Sequence, residues 1–358
     1  MPAPLVTVFV PGLIWPNAHA YQLTHELALP ALETLLGRAR REELPGADDN
    51  EALARLFASP ATPNALLRRM GEDSALPPDA GAALLCADPV HLALAHEHLL
   101  LSSPAHLQLQ DDEVRALLAT LNELLAQYAD LPGLRLEAPH PQRWYLHLPA
   151  APHIHFTALD AVIGRNITGF LPHGADAAQW NRLGNELQMC LHSHPVNQAR
   201  RARGALAVNS LWFWGAAQGT PPAAQPPAPR VLADAPFARG LCRAAGIQAE
   251  AVRPLRDVLP LADDVCVIFT PLRRPAIELD LARWQAALVG LEQDWLAPAL
   301  RALAQGHIRA LRLLAPGERF SLAFHFDRRA RRFSFWRKPR RLEEATGLTG
   351  RRLQTSPD

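Results

Sequence analysis

The run at residues 5–10 (LVTVFV) constrains the fold more than any other stretch. It mixes β-branched and aromatic residues without a charge, as in a strand buried on both faces, and Pro11-Gly12 ends it at once. Such strands belong to parallel sheets covered by helices, so the chain is expected to be α/β. Ligands of these sheets bind at the carboxyl ends of the strands, which makes position 11 the place where an aspartate would be useful. Residues 265–269 (VCVIF), followed by Pro271, and 311–315 (LRLLA), followed by Pro316, supply further strands.

Between these strands the periodicity changes to that of helices. Residues 29–36 open with Pro30 in the first turn and space their leucines for one apolar face, and 111–128, 180–190 and 235–246 also read as helices. Residues 281–304 carry Trp284, Leu288, Leu291, Trp295 and Leu300 along a broad apolar stripe. Strands are expected at 143–148 and 209–215, and the segment 219–229 (GTPPAAQPPAP) is an extended surface connection. Near the carboxyl terminus, 321–326 and 332–336 alternate like two strands around a turn at 327–331.

The richest polar cluster lies at residues 192–204 (HSHPVNQARRARG), with Asn209, Trp212 and Trp214 shortly after it. Asparagines, arginines and tryptophans so close together suggest an anion pocket beside aromatic walls. The plainer reading is that Asn197 and Asn209 cap turns, the arginines solvate a helix face and the tryptophans fill core.

On these residues the chain resembles the cofactor-independent phosphoglycerate mutases of archaeal type, in the alkaline phosphatase superfamily. It resembles more closely a bacterial, RpfE-type branch of phosphoglycerate mutase-like proteins. The similarity runs from about residue 5 to about residue 320. His194-Pro195-Val196-Asn197, Arg200-Arg201, Gly204 and Asn209 match the mutase segment; Gly164-Arg165-Asn166, residues 185–189 (NELQM) and 209–215 (NSLWFWG) resemble the RpfE-type signature. The resemblance implies an alkaline-phosphatase-like core with a mainly parallel sheet flanked by helices, formed by residues 1–98 and 205–336. It also implies an inserted α+β substrate domain at 99–204, leaving a basic tail at 337–358.

Residue by residue, the functional positions depart from that family. Its first metal-binding aspartate falls on Pro11, its aspartate and histidine after the next strand on Arg273 and Ile277, and its final aspartate-histidine pair on Gly317 and Glu318. The position of the phosphoryl-accepting serine falls on Thr62, whose hydroxyl needs a base or a metal to act. Two divalent cations require several carboxylate and imidazole ligands, so no metal or other cofactor is expected. The expected function is a non-catalytic binding or regulatory protein for a phosphorylated or anionic small molecule. Its candidate ligand residues are Arg143, Arg165, Asn166, His194, Asn197, Arg200, Arg201, Asn209, Trp212 and Trp214. The alternative is an active metal-dependent mutase or phosphatase using Thr62.

Composition and two rival sites complete the expectations. No eighteen-residue apolar run and no signal-peptide pattern occurs, the formal net charge is +1, and Cys86, Cys190, Cys242 and Cys266 stand singly. These features predict a cytoplasmic chain with buried free thiols, and no membrane partner. His153 and His155, with His140 and His147 near in sequence, lack a third ligand at diagnostic spacing for zinc or nickel, and His192 and His194 make a weaker pair still. A third functional reading is a nucleic-acid regulator acting through Arg337, Lys338, Arg340, Arg341, Arg351 and Arg352 beside the terminal aromatics. An amphipathic hairpin followed by a frayed tail accounts for that segment better, so nucleic acid is not an expected partner. Oligomeric state is not legible.

Overall fold

A computed structural model describes residues 3–16, 23–73, 82–95, 98–333 and 336–346. Its strands, in chain order, are β1 (Leu5–Phe9), β2 (Arg40–Pro45), β3 (Ala83–Ala95), β4 (His98–Ser102), β5 (Arg135–His140), β6 (Arg143–Leu148), β7 (Ile154–His155), β8 (His173–Gly174), β9 (Ser210–Gln218), β10 (Arg230–Leu232), β11 (Val265–Ile268), β12 (Ala310–Ala315) and β13 (Phe320–Asp327). The chain divides into two compact units, one of residues 1–60 and 223–358, the other of residues 61–222. The division falls outside the expected boundaries at 99 and 204. β3 pairs with both β6 and β9, so the segments on either side of those boundaries share one sheet.

The first unit is built on a six-stranded sheet in the order β10-β11-β1-β12-β13-β2. The four strands from β10 to β12 are parallel, and β13 and β2 are antiparallel additions. One face carries Val6, Val8, Val265, Val267, Leu311, Leu313, Phe324 and Phe326 into the main apolar core with the helix Pro30–Arg38 and the segment 281–305. That segment is one long helical run interrupted by a π turn, Glu292–Leu296. The turn directs buried Glu292 at the first turn of Pro30–Arg38, where its two oxygens accept from the Ala31 and Leu32 amides at 2.7 and 2.9 Å. Burial raises the Glu292 pKa, with the two amides working against it.

The second unit contains the antiparallel sheet β4-β3-β6-β5, with β9 also on β3. Alternation gives this sheet two unlike faces. Leu85, Ala87, Leu136, Trp144, Leu146, Leu148, Leu211 and Phe213 pack with helices Asp111–Gln127 and Ala177–Ser193 in a second apolar core. The opposite face carries Cys86, Asp88, Glu137, Tyr145, His147 and Trp214, covered by the short helix Asn64–Met70.

One terminal expectation is corrected. Residues 320–327 form β13, but the expected turn and the first two residues of the expected second strand lie in a helix, Arg328–Phe333; residues 334 and 335 are outside the described residues. Asp327 accepts from the Ala330 amide at 2.6 Å, and the Arg-Ala-Arg sequence that follows favours helix. Of the basic tail, residues 347–358 lie outside the described residues, Arg351 and Arg352 among them. No helix among the described residues is long and apolar enough to cross a membrane. Cys86, Cys242 and Cys266 are buried free thiols, while Cys190 is half-buried; burial pushes Cys242 and Cys266 up to about 12.

Candidate functional site

The carboxyl edge of the parallel sheet in the first unit is closed by its own loops. Pro11 is buried, and Gly12 has a φ of +78°, with its Cα so close to the loop after β11 that a Cβ would lie 2.7 Å from the Leu272 carbonyl oxygen. Trp284 donates its indole N–H to the Gly12 carbonyl at 2.8 Å and meets the ring of Trp15 edge-on, centroids 5.2 Å apart. Arg273 donates from Nε to Asp49 Oδ2 at 2.9 Å, and Ile277 ends the short helix Arg273–Ile277. Glu318 is exposed, and its backbone abuts Gly46, where a Cβ would stand 2.1 Å from the Glu318 carbonyl oxygen.

A two-cation centre does not fit this edge. A guanidinium committed to a carboxylate, an alkyl side chain and one solvent-facing glutamate are no ligand set for divalent ions. Among the described residues, no group of three or more His, Cys, Asp or Glu side chains is placed to hold a metal. Thr62 belongs to the second unit, half-buried in the loop before Asn64–Met70.

Within the second unit the charged sheet face holds a buried ionic network. Arg68 makes a two-pronged pair with Asp88 at 2.7 and 2.8 Å, and its Nε donates to Tyr145 Oη at 3.0 Å. Asp88 also accepts from the Trp144 amide at 3.1 Å and the Trp214 indole at 2.8 Å. Tyr145 donates to Glu72 at 2.9 Å, and Glu72 takes both prongs of Arg143 at 2.7 and 2.9 Å. Beside them, Glu137 accepts from Arg69 Nε at 2.6 Å and lies 3.0 Å from His147 Nε2. The Arg68 guanidinium further sits over the Tyr145 and Trp214 rings, 4.6 and 5.0 Å from their centroids.

The electrostatics follow from burial opposed by close partners. Burial alone would raise the Glu72 and Glu137 carboxyls, yet Arg143 and Tyr145 hold Glu72 below its ordinary value, and His147 and Arg69 do the same for Glu137. Glu113 is also lowered, burial being outweighed by the Gln110 amide, Arg203 and Arg200. Because all three carboxyls titrate lower in the folded chain, the unfolded state binds more protons as the pH falls below the ordinary glutamate value of 4.5. Their stabilisation is complete above that value and is lost as the pH drops through the folded pKa values. Urea midpoints followed by tryptophan fluorescence should therefore fall between pH 6 and pH 3.5; a flat profile contradicts these pairings.

Most of the residues singled out from sequence hold the second unit together. Arg200 is 1 % exposed and donates to the Leu206 and Leu107 carbonyls and to Glu113. Asn197 is wholly buried, bridging the Leu191 and Val208 carbonyls at 2.8 and 2.7 Å and accepting from the Val208 amide. Asn209 pins the Leu92 amide and carbonyl, and His194 caps the helix Pro195–Ala202 while its Nε2 meets Thr120 at 3.1 Å. Trp212 donates to the Thr157 carbonyl and Trp214 to Asp88. Arg143 and Trp214 join the ionic network on the sheet face, whereas Arg165, Asn166 and Arg201 have polar atoms at the surface. Arg165 lies over Phe170, Asn166 caps the turn Ile167–Phe170, and Arg201 donates to the His192 carbonyl.

Sequence reasoning missed Arg68, Asp88, Glu137 and Tyr145, the centre of the network. Its signal was one aspartate inside the apolar run 83–90, a charge that a buried strand carries only with a partner. The His153-Ile154-His155 pair likewise hid its neighbour: His155 faces His173 across β7–β8, ring centroids 4.8 Å apart.

No protein-family model and no curated protein matches the chain. Among solved structures it is similar to a cofactor-independent phosphoglycerate mutase from Thermoplasma acidophilum, at a TM-score of 0.42 and 15 % identity over 97 % of this chain and 100 % of that one. It is also similar to the PH0037 protein from Pyrococcus horikoshii, at a TM-score of 0.53 and 12 % identity over 98 % of this chain and 99 % of that one. The second likeness, nearly end to end, establishes a shared fold.

Proposed function

We propose that this chain is a phosphoglycerate mutase-like protein without phosphoryl-transfer activity, a cytoplasmic binding or regulatory protein of the RpfE-type branch for a phosphorylated or anionic small molecule. The observation that carries the reading is the closed carboxyl edge of the parallel sheet. The places where such an enzyme needs carboxylates and imidazoles hold Pro11, Arg273, Ile277, Gly317 and an exposed Glu318, and the loops pack closely around Gly12 and Gly46. A threonine hydroxyl such as that of Thr62 needs a base or a cation to act as a nucleophile at neutral pH. In this reading residues 61–222 correspond to the substrate domain of the mutases, with Arg165 and Arg201 the arginines exposed at its surface and Arg143 held by Glu72.

The test is direct. Purified chain incubated with 3-phosphoglycerate and manganese or magnesium should form no 2-phosphoglycerate above the protein-free control, while a thermal-shift series of phosphorylated metabolites should contain a stabilising compound. Manganese-dependent turnover that disappears in Thr62→Ala would establish the catalytic alternative instead.

A further inference from the structure

The open part of the first unit's sheet carries a cluster of basic side chains, three of them arginines that meet no carboxylate among the described residues. In the lateral register of strands β12, β13 and β2, Arg312 stands opposite His325 and His325 opposite Arg40, so the three side chains share one face. Further along the same row Thr7 and Cys266 are buried, whereas at Arg312, His325 and Arg40 the row opens into a recess of about 400 Å³. The helix Arg328–Phe333 walls one side and contributes Arg329 and Ala330.

Arg68, Arg143, Arg200, Arg230 and Arg309 each meet a carboxylate. Around this recess the pattern reverses. Arg312 Nε is enclosed and has no hydrogen-bond partner, and neither Arg40 nor Arg329 makes a side-chain hydrogen bond or ion pair among the described residues. Two acids lie close, but Asp327 already accepts from the Ala330 amide, and Glu42 faces His325 at 3.4 Å. An enclosed guanidinium N–H without an acceptor is costly, and a tetrahedral oxyanion supplies acceptors to several forked guanidinium groups at once.

We propose that this recess binds the phosphate group of a small phosphorylated molecule, Arg312 and His325 forming the floor and Arg40 and Arg329 the two sides. The inference rests on the proposed function for the class of ligand only; it puts that ligand on the face of the sheet, away from the closed carboxyl edge. His325 gives a local readout. Burial first, then Arg312 and Arg40, push its imidazolium pKa down, Glu42 opposes them, and Arg329 reaches the recess from the helix. A bound phosphate adds negative charge and moves that pKa up.

Calorimetric titration of the full chain with inorganic phosphate and with 3-phosphoglycerate at low salt tests the site. Saturable binding of one equivalent is expected, with the His325 ring titrating at higher pH in its presence. Arg312→Gln, Arg40→Gln and Arg329→Gln should each weaken binding roughly tenfold. Arg40 and Arg329 are exposed, so their variants carry the test if Arg312→Gln does not fold. Failure of the wild type to bind either anion overturns the proposal, as does a single-stranded oligonucleotide binding where phosphate does not. Undiminished binding in all three variants overturns the recess yet leaves an anion-binding protein standing. Manganese-dependent turnover overturns the non-catalytic reading without touching the recess.

Discussion

Replacing Asp88 with alanine should destabilise the second unit by about 3–5 kcal/mol, the cost of leaving a buried charge without its partner. Asp88 is 1 % exposed and accepts four hydrogen bonds, two from Arg68, one from the Trp144 amide and one from the Trp214 indole. Burial works to lower the Arg68 pKa, but the Asp88 carboxylate, the strongest of the groups opposing it, helps lift that pKa above its ordinary value. Removing the carboxylate therefore strands a guanidinium that does not readily lose its proton. Tyr145 Oη and the Trp144 carbonyl remain as acceptors, but neither supplies a countercharge.

A companion variant separates charge from shape. In Asp88→Leu combined with Arg68→Met, both ions are absent; the Trp144 and Trp214 N–H groups lose an acceptor, and the Tyr145 hydroxyl and Trp144 carbonyl lose a donor. The double variant should therefore be more stable than Asp88→Ala, because the desolvation cost of the pair vanishes with it. Urea unfolding read by tryptophan fluorescence reports both, since Trp144 and Trp214 flank the pair. A loss below about 1 kcal/mol for Asp88→Ala would mean that water reaches Arg68 and that the sheet face is not sealed.

How much of this was legible in the sequence depends on the range of the interaction. The strands at 5–10, 265–269 and 311–315, the helices at 29–36 and 111–128 and the Pro-rich connection came from local periodicity and are present within a residue or two. The terminal hairpin failed because alternation over five residues is weak evidence beside an aspartate cap and a run of helix formers at 327–331. The closure of the sheet's carboxyl edge depends on Gly12 meeting Leu272 across 260 positions, which no local pattern encodes. The same holds for the network: Arg200 and Asn197 were found as a polar cluster, but only the fold shows that Glu113 and the Leu191 and Val208 carbonyls claim them. Clusters of arginine in sequence mark sites poorly when acids distant in sequence neutralise them. Arg40, Arg312, His325 and Arg329, scattered over four segments, come together only through strand register.

Truncating Trp284 to alanine should cost about 3–5 kcal/mol in the first unit, because the indole is wholly buried and fills the place where an open α/β sheet accepts its ligand. Two contributions are separable. The ring packs edge-on against Trp15, and its N–H satisfies the Gly12 carbonyl at 2.8 Å. Trp284→Phe retains much of the apolar volume and removes only the donor, so it should lose about 1–3 kcal/mol, the range for orphaning a buried carbonyl. The gap between the two variants measures the plug itself. Phosphate affinity should stay at the wild-type value in Trp284→Phe, since Arg312 and His325 alternate to the face of β12 and β13 opposite the core that holds the indole. Loss of less than about 1 kcal/mol in Trp284→Ala, by urea titration, would show that the indole does not close this edge, and the case against a catalytic centre there would lose its structural half.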